Sequence, residues 1–370
     1  MMAAIAVALL ATGGAAGGAH AAPRRPAHGG RVRGPDVRHR LRHQTVDETC
    51  PRFVTVRMEP HGAGHVFFDI VAGIDLAQRI GATYVLDASH DLRDLKSIHG
   101  PDAYDGLLDV LNVKRTEHSA AAVDAAYHPT HVNATFDDAP RVAGCNTFAT
   151  VSDSSCTDPK NITQGRTSFF CHVVMEGLYQ RMQPVFLTKF LTSPLRPRRD
   201  QFFDPAVLNI AWHVRTGDTN LLSNAPAYFE NVHAAIAQGC ATLAIECRHH
   251  VFSSAGARVP PPFQFLTRLD GMTFYRRLTV AHTVLAMSTA DIVVETGSSM
   301  TTIARMMTAD PTFVTPCPKE GCYVSTYDTA DSIFADGDGK IDDSDVQRLH
   351  GRMQHSVHRK RVASGGGRAV

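Results

Sequence analysis

Three short apolar runs each end in a turn of polar or small residues, two of which open into helices, and this repeated phrase limits the fold more than any other feature. The first run, 52–58, alternates like a strand and leads through Pro60-His61-Gly62-Ala63-Gly64-His65 into a periodic segment. There Val66, Phe67, Ile70, Val71, Ile74 and Ala77 recur at three- and four-residue spacing, which predicts a helix over 66–80. Gly81 stops that helix, and 83–87 reads as a buried strand. The second run, VLNIAW at 207–212, passes into His213-Val214-Arg215-Thr216-Gly217-Asp218. The third, DIVVE at 291–295, passes through Thr296-Gly297-Ser298-Ser299 into a helix over 298–307. A further short strand is expected at 251–254, and helices at 169–182 and 273–287. Strands alternating with helices give parallel sheets, because each parallel pairing needs a long crossover. The expectation is an α/β chain of two Rossmann-like domains facing a cleft.

Residues 50–195 are read as the first α/β domain, with 100–165 irregular and polar, and 194–205 as the link to a second domain over 196–330. Charge divides the chain further. Residues 1–45 hold seven Arg and one Asp, and 350–370 hold five Lys+Arg and no acid; the middle keeps 25 of the 37 basic and 35 of the 36 acidic side chains. An acidic body argues against a broad nucleic-acid footprint, which needs a basic face. A 44% hydrophobic composition, spread through the middle, excludes a wholly disordered chain.

The ends and the cysteines bear on compartment. Residues 1–22 combine a short apolar stretch with an Ala19-His20-Ala21 site, as a secretory signal does, although no basic residue precedes the stretch. An Ala-rich tail or a transit peptide fits the same residues. The Arg-, His- and Pro-rich 23–49 reads as a basic linker. Asn133 and Asn161 each head an N-x-Thr acceptor triplet. Eight cysteines contain no C-x-x-C pair, and the short spacings Cys240…Cys247 and Cys317…Cys322 suit local disulfides formed in an oxidising lumen. Reduced, buried cysteines are the alternative. The expected location is the secretory pathway, in the Golgi lumen or outside the cell.

The candidate chemistry sits at the turns. Gly62, Gly64 and His65 open the first helix, where small residues let backbone N–H groups approach an anion. Arg215 is a permanent cation with a planar fork suited to phosphate oxygens, His213 a hydrogen-bonding neighbour, and Asp218 is placed to orient Arg215. Ser298, Ser299 and Met300 start the third helix, where a serine caps the helix and the free N–H groups suit a pyrophosphate. Together they describe a nucleotide-diphosphate cleft. Asp218, Glu230 and Asp69 are candidate bases for an acceptor hydroxyl.

These segments resemble a known family. HVR at 213–215 is similar to the H-x-R segment of the α1,6-fucosyltransferases and their protein O-fucosyltransferase and rhizobial relatives. GAGH at 62–65 resembles their opening glycine turn, and DIVVETGSSMT at 291–301 their third motif, in family order across about 250 residues. The resemblance implies a GT-B-like glycosyltransferase with a GDP-fucose donor, a glycan or protein hydroxyl as acceptor, inversion at the sugar carbon and no required metal. It gives Arg215 the β-phosphate, with His213 beside it. The diphosphate falls to Ser298, Ser299 and the Met300 backbone, and closure of the cleft to Gly62 and Gly64. Two positions depart from the family. No acid stands in 251–258, where one often meets guanine, and Thr216 occupies a place where a second Arg is common. The same fold with another nucleotide-sugar donor therefore stands as the alternative, beside a non-catalytic secreted protein that binds carbohydrate or calcium.

The calcium reading comes from FADGDGKIDDSD at 334–345. It resembles an EF-hand or dockerin loop, with Asp336, Asp338, Asp342 and Asp345 at ligand positions, Gly339 at the sharp turn and Phe334 at the first position. Residues 331–370 are read as this acidic loop, a short helix and a basic tail.

Overall fold

The computed structural model describes residues 46–57, 63–86, 106–113, 117–152, 178–194, 202–214, 225–253, 261–275, 278–296, 298–308, 312–317 and 332–365. They form an α/β structure with two all-parallel sheets.

The first sheet contains β1 (Arg52–Val56), β2 (Thr83–Leu86), β3 (His118–Ser119), β4 (Thr130–Thr135) and β5 (Thr147–Ser152) in the order β3-β2-β1-β5-β4. Helix α1 (Ala63–Ile80) connects β1 to β2 and begins one turn earlier than its apolar periodicity alone suggests. It lies close to the sheet because Gly73 has no side chain: a Cβ there would fall 2.8 Å from Val56 Cγ2 and into the Tyr84 ring. Gly81, at φ 64°, ends the helix in the left-handed region. The stretch 106–152, expected to be irregular, instead holds α2 (Leu107–Val110), α3 (Ala120–Tyr127), α4 (Ala139–Val142) and three strands. β4 reads THVNAT and shows little apolar pattern because it is an edge strand, paired only with β5 and largely solvent-facing. Helix α5 (Leu178–Thr192) completes this half; the expected helical residues 169–177 lie outside the described residues.

The second sheet contains β6 (Leu208–Val214), β7 (Cys247–Ser253), β8 (Met272–Tyr275), β9 (Ile292–Val294), β10 (Thr312–Pro316) and β11 (Ser332–Ala335), ordered β11-β10-β9-β6-β7-β8. Counted from β6 this is the 3-2-1-4-5-6 order of a doubly wound dinucleotide-type sheet. All seven β6 residues are buried, as a central parallel strand covered on both faces requires. Helices α6 (Ala225–Thr242), α7 (Val280–Thr289), α8 (Ser299–Met306) and α9 (Asp343–Gly365) accompany it, with a 3₁₀ segment at Pro261–Arg268. The helix expected over 273–287 is split: Met272–Tyr275 pairs with β7 as a strand, and α7 starts after Thr279, whose hydroxyl caps the His282 N–H. Residues beyond 330 belong to this half as well. β11 is its sixth strand, and α9 is a 23-residue helix whose Leu349 and Met353 share a core with Trp212, Phe229 and Ile236.

A second core runs through both halves. It joins Phe67 and Ile70 of α1, Met182 and Phe186 of α5, Val284 of α7, and Ile303 and Met306 of α8. Helix α8 packs on α1, α5 and α7, so the helix after β9 forms the seam between the two sheets. Two polar bonds cross that seam: Tyr179 Oη donates to Arg305 O at 3.3 Å, and Gln183 Nε2 to Thr308 O at 3.1 Å. Both satisfy carbonyls at the C-terminal end of α8. Disulfides join Cys50 to Cys145 and Cys240 to Cys247, the latter at one of the short spacings that suit a local bridge; Cys317 is also disulfide-bonded. Among the described residues no helix is long and apolar enough to cross a membrane.

Candidate functional site

In a sheet of this order, the strand order reverses between the first and fourth strands, and ligands bind outside the strand C-termini at that point. Here the two strands are β6 and β9, neighbours paired Ile210↔Ile292 to Trp212↔Val294. The segments that carry HVRTGD and ETGSSM are therefore the two that leave the sheet at its switch point.

Their described ends are tied together. His213, penultimate in β6, is buried, and its carbonyl accepts from the Thr296 hydroxyl at 3.2 Å. Ser298 is extended (φ −97°, ψ 136°) and caps α8, its hydroxyl accepting from the Met300 N–H at 3.3 Å. That resolves which of the two serines caps the helix. The Ser298 carbonyl takes both the Thr301 hydroxyl, at 2.6 Å, and the Thr301 N–H, at 3.1 Å. The first turn is thereby closed on itself, while the positive end of the helix dipole points out of the sheet.

Behind this turn lies a buried polar cluster that the motif reading did not identify. Arg305, 1% exposed, donates to Glu295 Oε1 at 3.0 Å, to Thr315 Oγ1 at 3.0 Å and to Ser332 Oγ at 2.6 Å, and lies 4.1 Å over the Phe313 ring. The Thr315 hydroxyl also bonds Glu295 Oε1. A buried guanidinium needs such partners, since an unpaired charge in that position is very costly. The signal was present in the sequence: one Arg inside the apolar run IARMM, ten residues after a Glu at a strand end. Tyr228, in the first turn of α6, donates from its hydroxyl to the Glu295 carbonyl at 3.0 Å. Burial, and then the nearby Glu295 charge, push its hydroxyl well above the ordinary tyrosine range, so it stays a donor.

Gly64 is buried in the first turn of α1, and α1 packs on α8, so the two glycine- and serine-opened helices are neighbours. His65 lies in α1 and Ser299 in α8; Met300 is half-buried against the common core. Of the candidate bases, Glu230 is exposed on α6 and Asp69 half-buried on α1. Arg215, Asp218, Gly62 and Asn161 lie outside the described residues. Asn133 is exposed on the edge strand β4.

The acidic turn uses its carboxylates locally. Asp336 Oδ1 accepts from the N–H groups of Asp338 and Lys340, both at 2.9 Å. Asp342 Oδ1 accepts from the Asp345 N–H and the Ser344 hydroxyl, both at 2.8 Å, at the start of α9. Asp345 accepts from the Phe334 N–H at 2.9 Å and from Arg348 at 2.5 Å. Among the described residues no group of three His, Cys, Asp or Glu side chains gathers to hold a metal ion.

The histidines of β7 lie in the middle of the strand, in register with Ile210 and Ala211 of β6. His249 Nδ1 accepts from Trp212 Nε1 at 3.0 Å, and His250 bridges Asn209 Oδ1 at 3.1 Å and the Tyr275 hydroxyl at 3.2 Å. Burial holds His249 down to about 3 and His250 to about 4, so both are neutral supports of the sheet.

The fold defines the class: an α/β protein of two parallel sheets, the second in a doubly wound order. No protein-family model and no curated protein matches the chain. Solved structures give distant likenesses. The fucosyltransferase NodZ from Bradyrhizobium is similar over 74% of this chain and 97% of its own, at 11% identity and TM-score 0.34. The E. coli heptosyltransferase WaaC with ADP is similar over 83% and 99%, at 11% identity and TM-score 0.40. FUT1 of Arabidopsis thaliana, in a complex with GDP, is similar over 74% and 72%, at 12% identity and TM-score 0.38.

Proposed function

We propose that the chain is a glycosyltransferase that transfers a sugar from a nucleotide diphosphate, with fucose from GDP-fucose as the leading donor, to a glycan or protein hydroxyl. One observation carries the reading: the segments following β6 and β9 leave adjacent strands at the switch point, and they are the ones whose residues suit a diphosphate. In this mechanism the acceptor oxygen attacks the anomeric carbon from the face opposite the diphosphate. A new C–O bond forms, the C–O bond to the diphosphate breaks, and the configuration inverts. The leaving diphosphate carries the developing charge, which Arg215 and the N-terminus of α8 stabilise without reorganising. The hydroxyl proton passes to a carboxylate, for which Asp218 is the first candidate. Stabilisation by these groups assigns no role to a divalent cation, so transfer is expected to persist in EDTA. The two disulfides support a secretory-pathway location, where Asn133 is open to glycosylation. With no acid in 251–258 to meet guanine, other bases are tested alongside it. The test titrates GDP, UDP and ADP against the protein and its Arg215→Ala variant. Selective binding of one, weakened on the order of 10²-fold or more in the variant, supports the reading. Equal, millimolar-or-weaker binding of all three, or an Arg215→Ala variant with unchanged affinity and transfer, refutes it.

A further inference from the structure

We infer that Tyr228 is a positioning residue for the diphosphate crevice, and that the acidic turn at 336–340 is the clamp that holds it; the role rests on the site reading above. Glu295 is the residue through which β9 enters the Thr296–Ser298 turn, and its polar groups are all engaged. Its N–H donates to Val314 O at 3.0 Å, its carboxylate is held by Arg305 and Thr315, and its carbonyl takes the Tyr228 hydroxyl at 3.0 Å. Three of those contacts come from β10 and α8, which lie on the β9 side of the switch point. Tyr228 alone reaches it from α6, the helix that follows β6. The Tyr228 hydroxyl and the Thr296–His213 bond are thus two ties across the point where the strand order reverses.

The acidic turn fixes Tyr228 from behind. Gly339 has φ 80°, and a Cβ added there would collide with the Tyr228 carbonyl and lie 2.6 Å from its Cα. The turn therefore meets the first turn of α6 backbone against backbone, an approach only glycine allows. Asn231 Nδ2 fastens it by donating to Asp338 O at 2.8 Å. The glycine that the calcium-loop pattern places at the sharp turn is thus also needed for this contact. Tyr228 itself is 0% exposed, so its ring has no alternative place to go. A bond held this way keeps the turn in one geometry before any ligand arrives, which is what a preorganised anion site requires.

The decisive variant is Tyr228→Phe, which removes one oxygen and keeps the ring. Tyr275→Phe, which removes a hydroxyl bonded to His250 from the edge strand β8, two strands away from β6 and the switch point, is the control. Calorimetric titration with GDP, UDP and ADP gives Kd for each protein, and thermal unfolding gives Tm. The expected result is that the nucleotide bound by the parent chain binds Tyr228→Phe about 3- to 10-fold more weakly, while Tyr275→Phe keeps the parent Kd despite a similar loss in Tm. Asn231→Ala, at an exposed position, serves if Tyr228→Phe does not fold, and is expected to weaken binding by about twofold through loss of the clamp. Parent-like Kd values in Tyr228→Phe, or in Asn231→Ala where that is the variant used, overturn the positioning role and leave the site reading standing. A parent chain that binds none of the three nucleotides overturns both.

Discussion

Acid is the perturbation that should expose how this sheet is supported. His249 and His250 are adjacent in β7, so their rings leave opposite faces, and both are buried. Around His249 stand Trp212, which donates to its Nδ1, and the His233 ring at 4.8 Å; around His250 stand Asn209, Tyr275, the Phe203 ring at 4.4 Å and the charge of Arg248. No carboxylate stands among these groups to stabilise a second proton. Burial is the first cause of each depression, to about 3 for His249 and about 4 for His250, followed by the His233 and His250 rings for the first and Arg248 for the second. Once unfolded, each ring titrates near about 6.5.

Below pH 6.5 the unfolded chain therefore takes up protons that the folded chain refuses. The stability contributed by each neutral ring is complete above that pH and lost as pH falls toward the folded value. The slope is about 1.4 kcal/mol per pH unit for each ring. Between pH 7 and pH 5 each loses about 1.9 kcal/mol, roughly 4 kcal/mol together, before most carboxylates begin to titrate. A loss of that size should lower Tm by on the order of 10 °C. Urea unfolding at pH 7 and pH 5 measures it directly, and His250→Gln, which cannot take up a proton, should show about half the parent's pH dependence. A flat stability between these pH values, or a His250→Gln variant as acid-sensitive as the parent, would refute the assignment of both rings as neutral supports.

Three further outcomes are expected. Ser298→Ala removes the cap of α8 and should cost about 1 kcal/mol in chemical unfolding, with Ser298→Gly costing less; equal stability in all three proteins would remove the cap from the account. Serine replacement of Cys50 and Cys145, 95 residues apart, should destabilise by up to about 4–5 kcal/mol, against about 2–3 kcal/mol for the short Cys240–Cys247 loop. The reverse ranking in urea unfolding would argue against that loop-length account. Because Asp336, Asp342 and Asp345 already accept from the protein's own N–H, O–H and guanidinium donors, Tm should be the same in EDTA and in millimolar calcium; a calcium-dependent rise would restore the ion-binding reading.

What the sequence made legible follows from where burial imposes a period. β6, β9 and α1 are buried on the faces that their patterns predicted, and the switch-point motifs stand at their strand ends. Strand β4 was illegible because an edge strand needs no apolar alternation, and β8 because its aromatic MTFY run continues without a break into helix-forming residues. The Glu295–Arg305 cluster and Tyr228 were hidden for another reason. Their partners are 10 to 67 residues away along the chain, and only the sheet order brings them together.

The same cluster bears on the charge problem posed by an acidic body. Arg305 sits within α8, the helix that follows the switch-point strand β9, yet its charge is neutralised by Glu295 and shared with two hydroxyls. It fixes the turn without lending it a field. On the proposed reading, attraction for a diphosphate comes from the helix terminus and from Arg215, both short-range sources. A single cation in a protein whose middle is acidic cannot steer ligands from a distance, because charges beyond about 8–10 Å are screened at ordinary salt. Nucleotide binding should therefore weaken only slightly between about 50 and 200 mM salt, and substitution of Arg215 should act on the dissociation rate more than on the association rate. A steep salt dependence measured in the association rate would mean that a wider basic surface draws the ligand in, and the local account of the site would have to be abandoned.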